Sequence, residues 1–238
     1  MTTPDWLERT SLLMGPDKME RFHRAHVLVV GTGGVGAYAA EMLVRAGIGR
    51  LTLLDADRVQ PSNINRQLCA LHSTVGEEKV RVLGLRFKDI NPELDLTVRA
   101  EFLEEHSAGA LLDSAKFDFI VDAIDTIAPK CALIEEAMKR RIRIVSSMGA
   151  GAKTDITQIR FADLWETFHC GLSKAVRARL KRDGMRRPLP VGFCAQQADP
   201  AALVQVEGER NKKTTTGTVS YMPAVFGCYL AQYVISRL

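Results

Sequence analysis

A glycine-rich turn stands in the part of the sequence with the strongest chemical content. Gly31, Gly33, Gly34 and Gly36 directly follow an apolar run that ends at Val30. Glycines let backbone N–H groups approach a phosphate chain, and a helix that begins at such a turn adds partial positive charge. The spacing predicts a phosphate-binding turn. The alternative is a glycine turn that only packs a helix against a strand.

Charged side chains downstream indicate which kind of nucleotide chemistry the turn would serve. Asp55 ends a second apolar run, where a carboxylate can accept hydrogen bonds from ribose hydroxyls. Arg66 and Lys79 can neutralise a triphosphate, and Asp125, after a later apolar run, can hold Mg²⁺. Singly, each of these charges has an ordinary alternative as a solvated surface group or a helix cap. Together they favour phosphoryl chemistry on ATP over hydride transfer.

The elements that must position these residues follow from an alternation of short apolar runs with longer helical patterns. Strands are predicted at residues 26–30, 51–54, 96–99, 117–121 and 142–146, and helices at 34–46, 76–90, 104–114 and 129–140. This alternation predicts the α/β class with a doubly wound, mostly parallel, Rossmann-like sheet. Ligands of such sheets bind at the carboxyl ends of the strands, where the glycine turn, Asp55 and Asp125 are expected.

The alternation of strand and helix patterns ends after Gly151. The pattern there predicts a strand at 157–161, a cationic helix near 172–183, a polar loop at 211–218 and a terminal helix over 221–238. This half is predicted to form an extension of helix and short strands.

The positive charge of the chain is concentrated in one segment. The 238 residues contain 32 Lys and Arg against 28 Asp and Glu, a net charge of +4 that is too small for a protein that coats nucleic acid. Residues 174–187, however, hold seven basic side chains and one acidic. Lys174, Arg177, Lys181 and Arg182 are therefore predicted to contact RNA phosphates, with a solvated helix face as the alternative.

Composition also limits the cellular setting and the use of cysteine. No signal-peptide pattern is present, and the longest mostly apolar run, 222–235, is shorter than the roughly 20 residues that span a bilayer. A cytoplasmic protein without a transmembrane segment is expected. The five scattered cysteines include no C-x-x-C pair, which argues against disulfides and structural zinc. Cys194 is a candidate nucleophile in a loop-like stretch, although buried packing is the commoner role of free cysteine, and the other four are expected in the core.

At this point a family resemblance becomes visible. Segments 31–36, 53–57, 62–67, 75–79 and 122–125 resemble the adenylating domain shared by ubiquitin-activating-type enzymes and their relatives in molybdopterin and thiamine synthesis. The resemblance implies that Asp55 binds ribose, with Asp57 beside it in the nucleotide site. It further implies that Asn63, Arg66 and Lys79 handle the phosphates of ATP and that Asp125 binds Mg²⁺. Members are dimers, and Arg9 resembles an arginine that reaches into the neighbouring subunit's ATP site and completes the catalytic set of Arg66, Lys79 and Asp125.

Within that family the chain is most similar to the tRNA threonylcarbamoyladenosine dehydratase branch, through segments 12–15, 46–49, 62–67, 90–93, 122–125, 129–130 and 149–159. This implies ATP-dependent cyclisation of threonylcarbamoyladenosine beside the tRNA anticodon through an acyl-adenylate. Residues 1–165 would form the adenylation domain with an N-terminal dimer-contact arm, and 166–238 a tRNA-contacting extension packed on the same domain.

Two departures keep other functions open. The branch often carries a cysteine shortly before the terminal helix, where this chain has three threonines at 214–216, so a sulfur-transfer partner is uncertain. Relatives that activate sulfur carriers usually hold zinc through C-x-x-C pairs. The alternatives are an adenylyltransferase for the C-terminus of a ubiquitin-like sulfur carrier, an NAD-binding oxidoreductase or sensor, and a scaffold that binds ATP without turning it over.

Overall fold

A seven-stranded sheet organises the computed structural model, which describes residues 4–205 and 214–238. Its strands in chain order are β1 His26–Val30, β2 Arg50–Leu54, β3 Asp95–Arg99, β4 Phe119–Asp122, β5 Arg143–Ser147, β6 Ile159–Asp163 and β7 Pro190–Cys194. The spatial order is β3-β2-β1-β4-β5-β7-β6, in which β6 runs antiparallel to β7 and the other pairs are parallel. This confirms the predicted α/β, mostly parallel, Rossmann-like fold. A separate antiparallel pair joins β8 Leu203–Gln205 to β9 Thr214–Thr216.

Helices cover both faces of the sheet. They are α1 Glu8–Met14, α2 Pro16–Arg24, α3 Gly36–Arg45, α4 Lys79–Ile90, α5 Ala108–Asp113, α6 Ile127–Lys139, α7 Gly171–Arg182 and α8 Tyr221–Ile235. One core cluster unites α2, α3, α4 and α8 with the sheet, and the other unites α5, α6 and α7 with its opposite face. Among the described residues, no helix combines the length and the apolar character needed to cross a membrane.

The strand sequences explain why the sheet is buried on both sides. Val27 and Val29 of β1 face the first core cluster, whereas Leu28 and Val30 face the second. Successive side chains of a strand point to opposite faces, so a continuous apolar run suits a sheet sandwiched between helices. Burying such large aliphatic side chains contributes roughly 1.5–3 kcal/mol each. The central strands are therefore rigid supports for the loops that leave their carboxyl ends.

The helices α1 and α2 and the strands β7, β8 and β9 were not predicted from the sequence. The N-terminal helices α1 and α2 meet at Gly15, whose φ is +78°, and Pro16 occupies the first turn of α2, where a missing N–H costs nothing. Strand β7 begins at Pro190 and contains Gly192, two residues that weaken any strand signal. The predicted strand at 157–161 lies at β6, two residues later.

The segment after residue 165 joins the central layers. β7 lies between β5 and β6, and Leu230, Ala231 and Val234 of α8 pack into the same core cluster as α3.

Helix α5 begins only at Ala108, after a short 3-10 turn, so the predicted helix at 104–114 was too long. Of the predicted loop at 211–218, residues 211–213 lie outside the described residues and 214–216 form β9.

Candidate active site

An open cleft of about 630 Å³ lies at the carboxyl ends of β1, β2, β4 and β5. Strand β1 pairs with β2 on one side and with β4 on the other, so consecutive chain segments diverge here. Such a switch in strand order opens a crevice that parallel sheets use for ligands. The lining includes Gly31, Gly33, Gly34, Asp55, Asp57, Asn63, Arg66, Lys79 and Asp125, which brings together most of the residues predicted to bind nucleotide.

The glycines of the turn have two different roles. Gly31 has a φ of +86°, and a Cβ there would stand 2.7 Å from the carbonyl oxygen of Ala123. A Cβ on Gly36 would stand 1.8 Å from the carbonyl oxygen of Gly31, so Gly36 allows α3 to pack closely against the turn. A Cβ on Gly33 would meet nothing nearer than Nε2 of Gln67 at 3.7 Å. Gly33 therefore faces the cleft, whereas Gly36 serves the packing that the alternative interpretation foresaw.

Asp55 ties the end of β2 to the glycine turn. Its Oδ2 accepts hydrogen bonds from the backbone N–H of Thr32 at 2.6 Å and from the Thr32 hydroxyl at 3.0 Å. Its Oδ1 accepts from the backbone N–H of Asp57 at 2.8 Å. A carboxylate offers about four acceptor positions. These three bonds orient the carboxylate and leave acceptor capacity on Oδ1 at the cleft.

Lys79 brings a buried ammonium to the cleft wall. It is the first residue of α4, its side chain is only 5% exposed, and its Nζ lies 2.7 Å from Oδ2 of Asp57, whose side chain is 69% exposed. The Asp57 carbonyl also accepts the backbone N–H of Lys79 at 3.0 Å. The Lys79 ammonium is therefore largely removed from water and paired with Asp57. If Lys79 binds another anion instead, water can solvate the exposed Asp57 carboxylate.

Asn63 and Arg66 are fixed by the short helical turn between β2 and α4. The buried amide oxygen of Asn63 accepts the backbone N–H of Gln60 at 3.1 Å. Nη1 of Arg66 donates to the carbonyl of Ser62 at 2.7 Å and to Oδ1 of Asn65 at 2.8 Å. These bonds to neighbouring groups orient the guanidinium at the cleft. Arginine fixed in this way is suited to phosphate oxygens.

Asp125 stands on a loop that a buried ionic network holds. The carboxylate of Asp122 lies 2.8 Å from Nζ of Lys130 and accepts the Ser146 hydroxyl at 2.6 Å; all three residues are fully buried. Both polar groups of the Ile124 backbone bind this network: its N–H donates to Asp122, and its carbonyl accepts from Lys130. Next in the chain, Asp125 is exposed and lines the cleft. This network was not predicted from the sequence, where its only signal is an Asp at a strand end and a Lys near the start of the next helix.

The donor set at this edge suits Mg²⁺ bound together with a nucleotide. Within the described part of the chain, no group of three or more His, Cys, Asp or Glu side chains could hold a metal alone. Mg²⁺ usually binds through one or two carboxylates plus substrate phosphates and waters. Asp125, one of several acidic residues that line the cleft, supplies an exposed carboxylate that matches that pattern.

Arg9 lies away from the cleft of its own chain. It is an exposed residue of α1 and is absent from the described residues that line the cleft. The same helix has no buried residues and exposes Leu12 and Leu13 by 81% and 79%. An apolar helix face of this kind suits a contact with another molecule.

Helix α7 carries the predicted basic surface, but Arg177 differs from its expected role. Its Nη1 donates to the carbonyls of Leu164 at 3.1 Å and Thr167 at 2.9 Å, and also contacts the Thr167 hydroxyl. Positions 173, 177 and 180 share a helix face, and Ser173 and Leu180 are buried. Arg177 is therefore directed inward to the loop before α7. The other predicted residues, Lys174, Lys181 and Arg182, are exposed.

The cysteines give little support for covalent catalysis. Cys194 is fully buried in β7, and its Sγ lies 3.6 Å from the carbonyl of Asp155, so the predicted loop position was wrong. Burial raises the pKa of Cys131 to about 12, which keeps it a thiol. Cys69 is also buried, but Cys170 is half-buried and Cys228 is exposed on α8, so these two lie outside the core where they were expected.

The chain is similar in sequence and in structure to known proteins. The chain is 36% identical to tRNA threonylcarbamoyladenosine dehydratase of Bacillus subtilis over 241 residues, which cover 97% of this chain and 93% of that protein. It is 41% identical to the Escherichia coli protein of the same name over 181 residues, 75% of this chain and 67% of that one. The crystal structure of the E. coli enzyme, TcdA, in complex with ATP has a TM-score of 0.89 at 32% identity, covering 100% of this chain and 96% of that chain. A family model matches residues 7–238, and the chain therefore belongs to the ThiF family.

Proposed function

We propose that this protein is an ATP-dependent tRNA threonylcarbamoyladenosine dehydratase. The observation that carries the proposal is the cleft itself, in which the glycine turn, Arg66, Lys79 and Asp125 meet at the switch point of the sheet. Full-length relatives and an ATP-bound structure that share that name support the choice of substrate. Few cations would be needed for a nicotinamide cofactor, so the same cleft argues against an oxidoreductase.

The first chemical step would activate a carboxylate. The substrate carboxylate oxygen attacks the α-phosphorus of ATP, the bond to the β-phosphate breaks, and pyrophosphate leaves. Arg66 and Lys79 would stabilise charge on the phosphates, while N–H groups of the turn at 31–36 and the start of α3 hold the chain. Mg²⁺, when held by Asp125, would supply further positive charge at the same phosphates. The product is an acyl-adenylate, a mixed anhydride with a good leaving group.

The second step closes the ring. A nitrogen of the same modified side chain attacks the activated carbonyl carbon, loses its proton and displaces AMP. Because nucleophile and target are tethered in one molecule, their effective molarity is high. No protein nucleophile is needed, which agrees with the burial of Cys194. The sum of the two steps removes one water from the modified nucleoside and converts ATP to AMP and pyrophosphate.

The N-terminal helix would serve a second subunit. We infer a homodimer in which Arg9 reaches the neighbouring cleft, because Arg9 lies outside its own cleft and α1 exposes Leu12 and Leu13. Lys174, Lys181 and Arg182 would contact tRNA phosphates. A tRNA substrate is consistent with the cytoplasm as the site of action.

Exchange of radiolabelled pyrophosphate into ATP, measured with and without each candidate substrate, tests the proposal. We expect exchange with Mg²⁺ and threonylcarbamoyl-modified tRNA and none with unmodified tRNA. The Lys79→Met variant is the matched control for contaminating activity. Exchange driven only by a ubiquitin-like sulfur carrier would identify the adenylyltransferase alternative. Binding of NAD without any exchange would identify an oxidoreductase or sensor, and binding of ATP without turnover would identify a scaffold.

A further inference from the structure

Aromatic side chains that the chemistry above does not use lie on the loop just before α7. The aromatic loop, residues 164–169, carries Trp165, Phe168 and His169. Phe168 is 43% exposed and His169 is exposed, although the Phe168 ring also packs edge to face on the buried Phe193. An exposed large aromatic side chain is a stronger indication of a binding surface than a single exposed aliphatic side chain is.

Arginine side chains accompany both large rings. The guanidinium of Arg160 stands 5.2 Å from the ring centre of Phe168 and 5.3 Å from that of Phe193. The guanidinium of Arg186 stands 5.9 Å from the ring centre of Trp165. Planar guanidinium groups and aromatic rings are the surfaces on which unpaired nucleic-acid bases stack. Positive charge beside them suits the phosphates that accompany each base.

Several contacts hold the aromatic loop. His169 has a φ of +52°, which is rare for a residue with a side chain, and its Nδ1 lies 3.0 Å from the carbonyl oxygen of Ala195. Its ring also packs edge to face on Phe168, with ring centres 5.0 Å apart. Nη1 of Arg177 binds the carbonyls of Leu164 and Thr167 from below. A strained backbone that is fixed by several bonds is typical of a functional site.

The end of the aromatic loop that carries Phe168 and His169 leads to the nucleotide cleft. It leads directly into α7, whose Leu172 lines the cleft. Between them, Cys170 places its Sγ 3.5 Å from where a Cβ of Gly149 would stand, and Gly149 also lines the cleft. A nucleotide whose modified side chain reached the α-phosphate of ATP would bring its neighbours toward this edge. Exposed Lys174 and Lys181 continue the positive charge along α7.

We propose that the aromatic loop and Arg160 form a stacking surface for unpaired bases of the RNA substrate, next to the base that is modified. This inference rests on the proposed function, because it presumes a tRNA loop as the substrate. Arg177 is then a positioning residue that fixes the loop and makes no phosphate contact of its own.

Two measurements on the full-length protein test the stacking surface. The first is the KM for threonylcarbamoyl-modified tRNA in pyrophosphate release. The second is the fluorescence of 2-aminopurine placed at unpaired positions of an anticodon stem-loop. We expect Phe168→Ala to raise the KM for tRNA by roughly tenfold to a hundredfold and to reduce the quenching of 2-aminopurine. Phe168→Tyr should restore both values, and Arg160→Lys, which keeps charge without a planar group, should not.

The controls separate this inference from the proposed function. Tyr229→Ala removes a partly exposed aromatic from α8, far along the chain from the loop, and should leave the KM unchanged. If the unaltered enzyme releases no pyrophosphate with modified tRNA, the proposed function itself fails. If it does so and Phe168→Ala has an unchanged KM and unchanged quenching, only the stacking surface is overturned. A Phe168→Ala protein that binds tRNA normally but changes its oligomeric mass would instead mark a subunit interface, which also overturns the inference.

Discussion

Thr32 and Asp55 join the glycine turn after β1 to the end of the neighbouring strand β2. The backbone N–H and the hydroxyl of Thr32 both donate to Oδ2 of Asp55, at 2.6 and 3.0 Å. The carboxylate therefore shapes the turn that follows β1 as well as offering Oδ1 to a ligand. Nucleotide binding and local stability should depend on the same side chain.

Asp55→Ala should lower both ATP affinity and stability. The substitution leaves the backbone N–H groups of Thr32 and Asp57 without their acceptor, at a cost of about 1–3 kcal/mol. Thr32→Val is the matched control, because it removes the hydroxyl donor and keeps the N–H. Urea unfolding together with ATP titration separates the effects. An Asp55→Ala protein with unaltered unfolding free energy would show that the carboxylate does not support the turn.

Alanine at two glycines of the same turn should impair different properties of the protein. A Cβ on Gly36 would stand 1.8 Å from a backbone oxygen, so Gly36→Ala should destabilise the fold by about 3 kcal/mol or more. A Cβ on Gly33 has 3.7 Å of clearance, so Gly33→Ala should fold normally and weaken ATP binding by occupying the phosphate position. Thermal unfolding and ATP titration of both variants check this contrast. Equal loss of stability in the two would contradict it.

Loss of Lys79 should reduce activity far more than loss of its ion-pair partner Asp57. Lys79→Met keeps the volume of a side chain that is 5% exposed and leaves Asp57 to water, so the fold should survive. Removing the cation from the phosphates should reduce the rate of pyrophosphate exchange by about 10²–10³-fold. Asp57→Asn keeps the cation and should cost much less. Similar rates for Lys79→Met and the unaltered enzyme would remove Lys79 from the catalytic set.

Asp125→Ala should separate chemistry from folding. The side chain is exposed, and the loop below it is fixed by Asp122, Lys130 and Ser146. Exchange activity should be lost at every Mg²⁺ concentration, while the urea midpoint stays within experimental error. In contrast, Ser146→Ala should lower stability, since it removes a buried donor to Asp122. Retained exchange in Asp125→Ala would show that this carboxylate does not hold the metal.

His26 should make the fold sensitive to mild acid. Burial, followed by the nearby Arg50, lowers the pKa of His26 below 6.5 in the folded protein. Between that lowered value and 6.5 the unfolded chain binds more protons, so stability rises with pH across this window and is lost as pH falls below 6.5. His26→Gln can keep a bond to the Thr52 hydroxyl without titrating. Its unfolding free energy should change less between pH 6.5 and pH 5 than that of the unaltered protein.

The sheet and the cleft could be predicted because local signals agree there. The run 26–30 is apolar at every position after His26, and the glycines follow at once. Asp55 comes directly after β2, and Asp125 lies on the loop that follows β4. Parallel topology then gathers these residues at one edge without further information. The exposed cleft residues could therefore be predicted from their positions in the sequence alone.

What sequence reasoning missed depends on contacts between distant residues. Arg177 has the spacing of a surface cation, and only the position of the loop at 164–167 turns its guanidinium inward. Strand β7 is recognisable only through its pairing with β5 and β6, since Pro190 and Gly192 weaken its local pattern. Likewise, the Asp122–Lys130 pair consists of a strand end and a helix residue that each look unremarkable alone.

The most direct test of the central claim is a single incubation of the protein with ATP, Mg²⁺ and threonylcarbamoyl-modified tRNA, followed by mass analysis of the nucleoside and quantification of pyrophosphate. We predict a nucleoside lighter by one water, formed in equal amount with pyrophosphate and AMP. An unchanged nucleoside, or release of ADP and phosphate in place of AMP and pyrophosphate, would contradict the account.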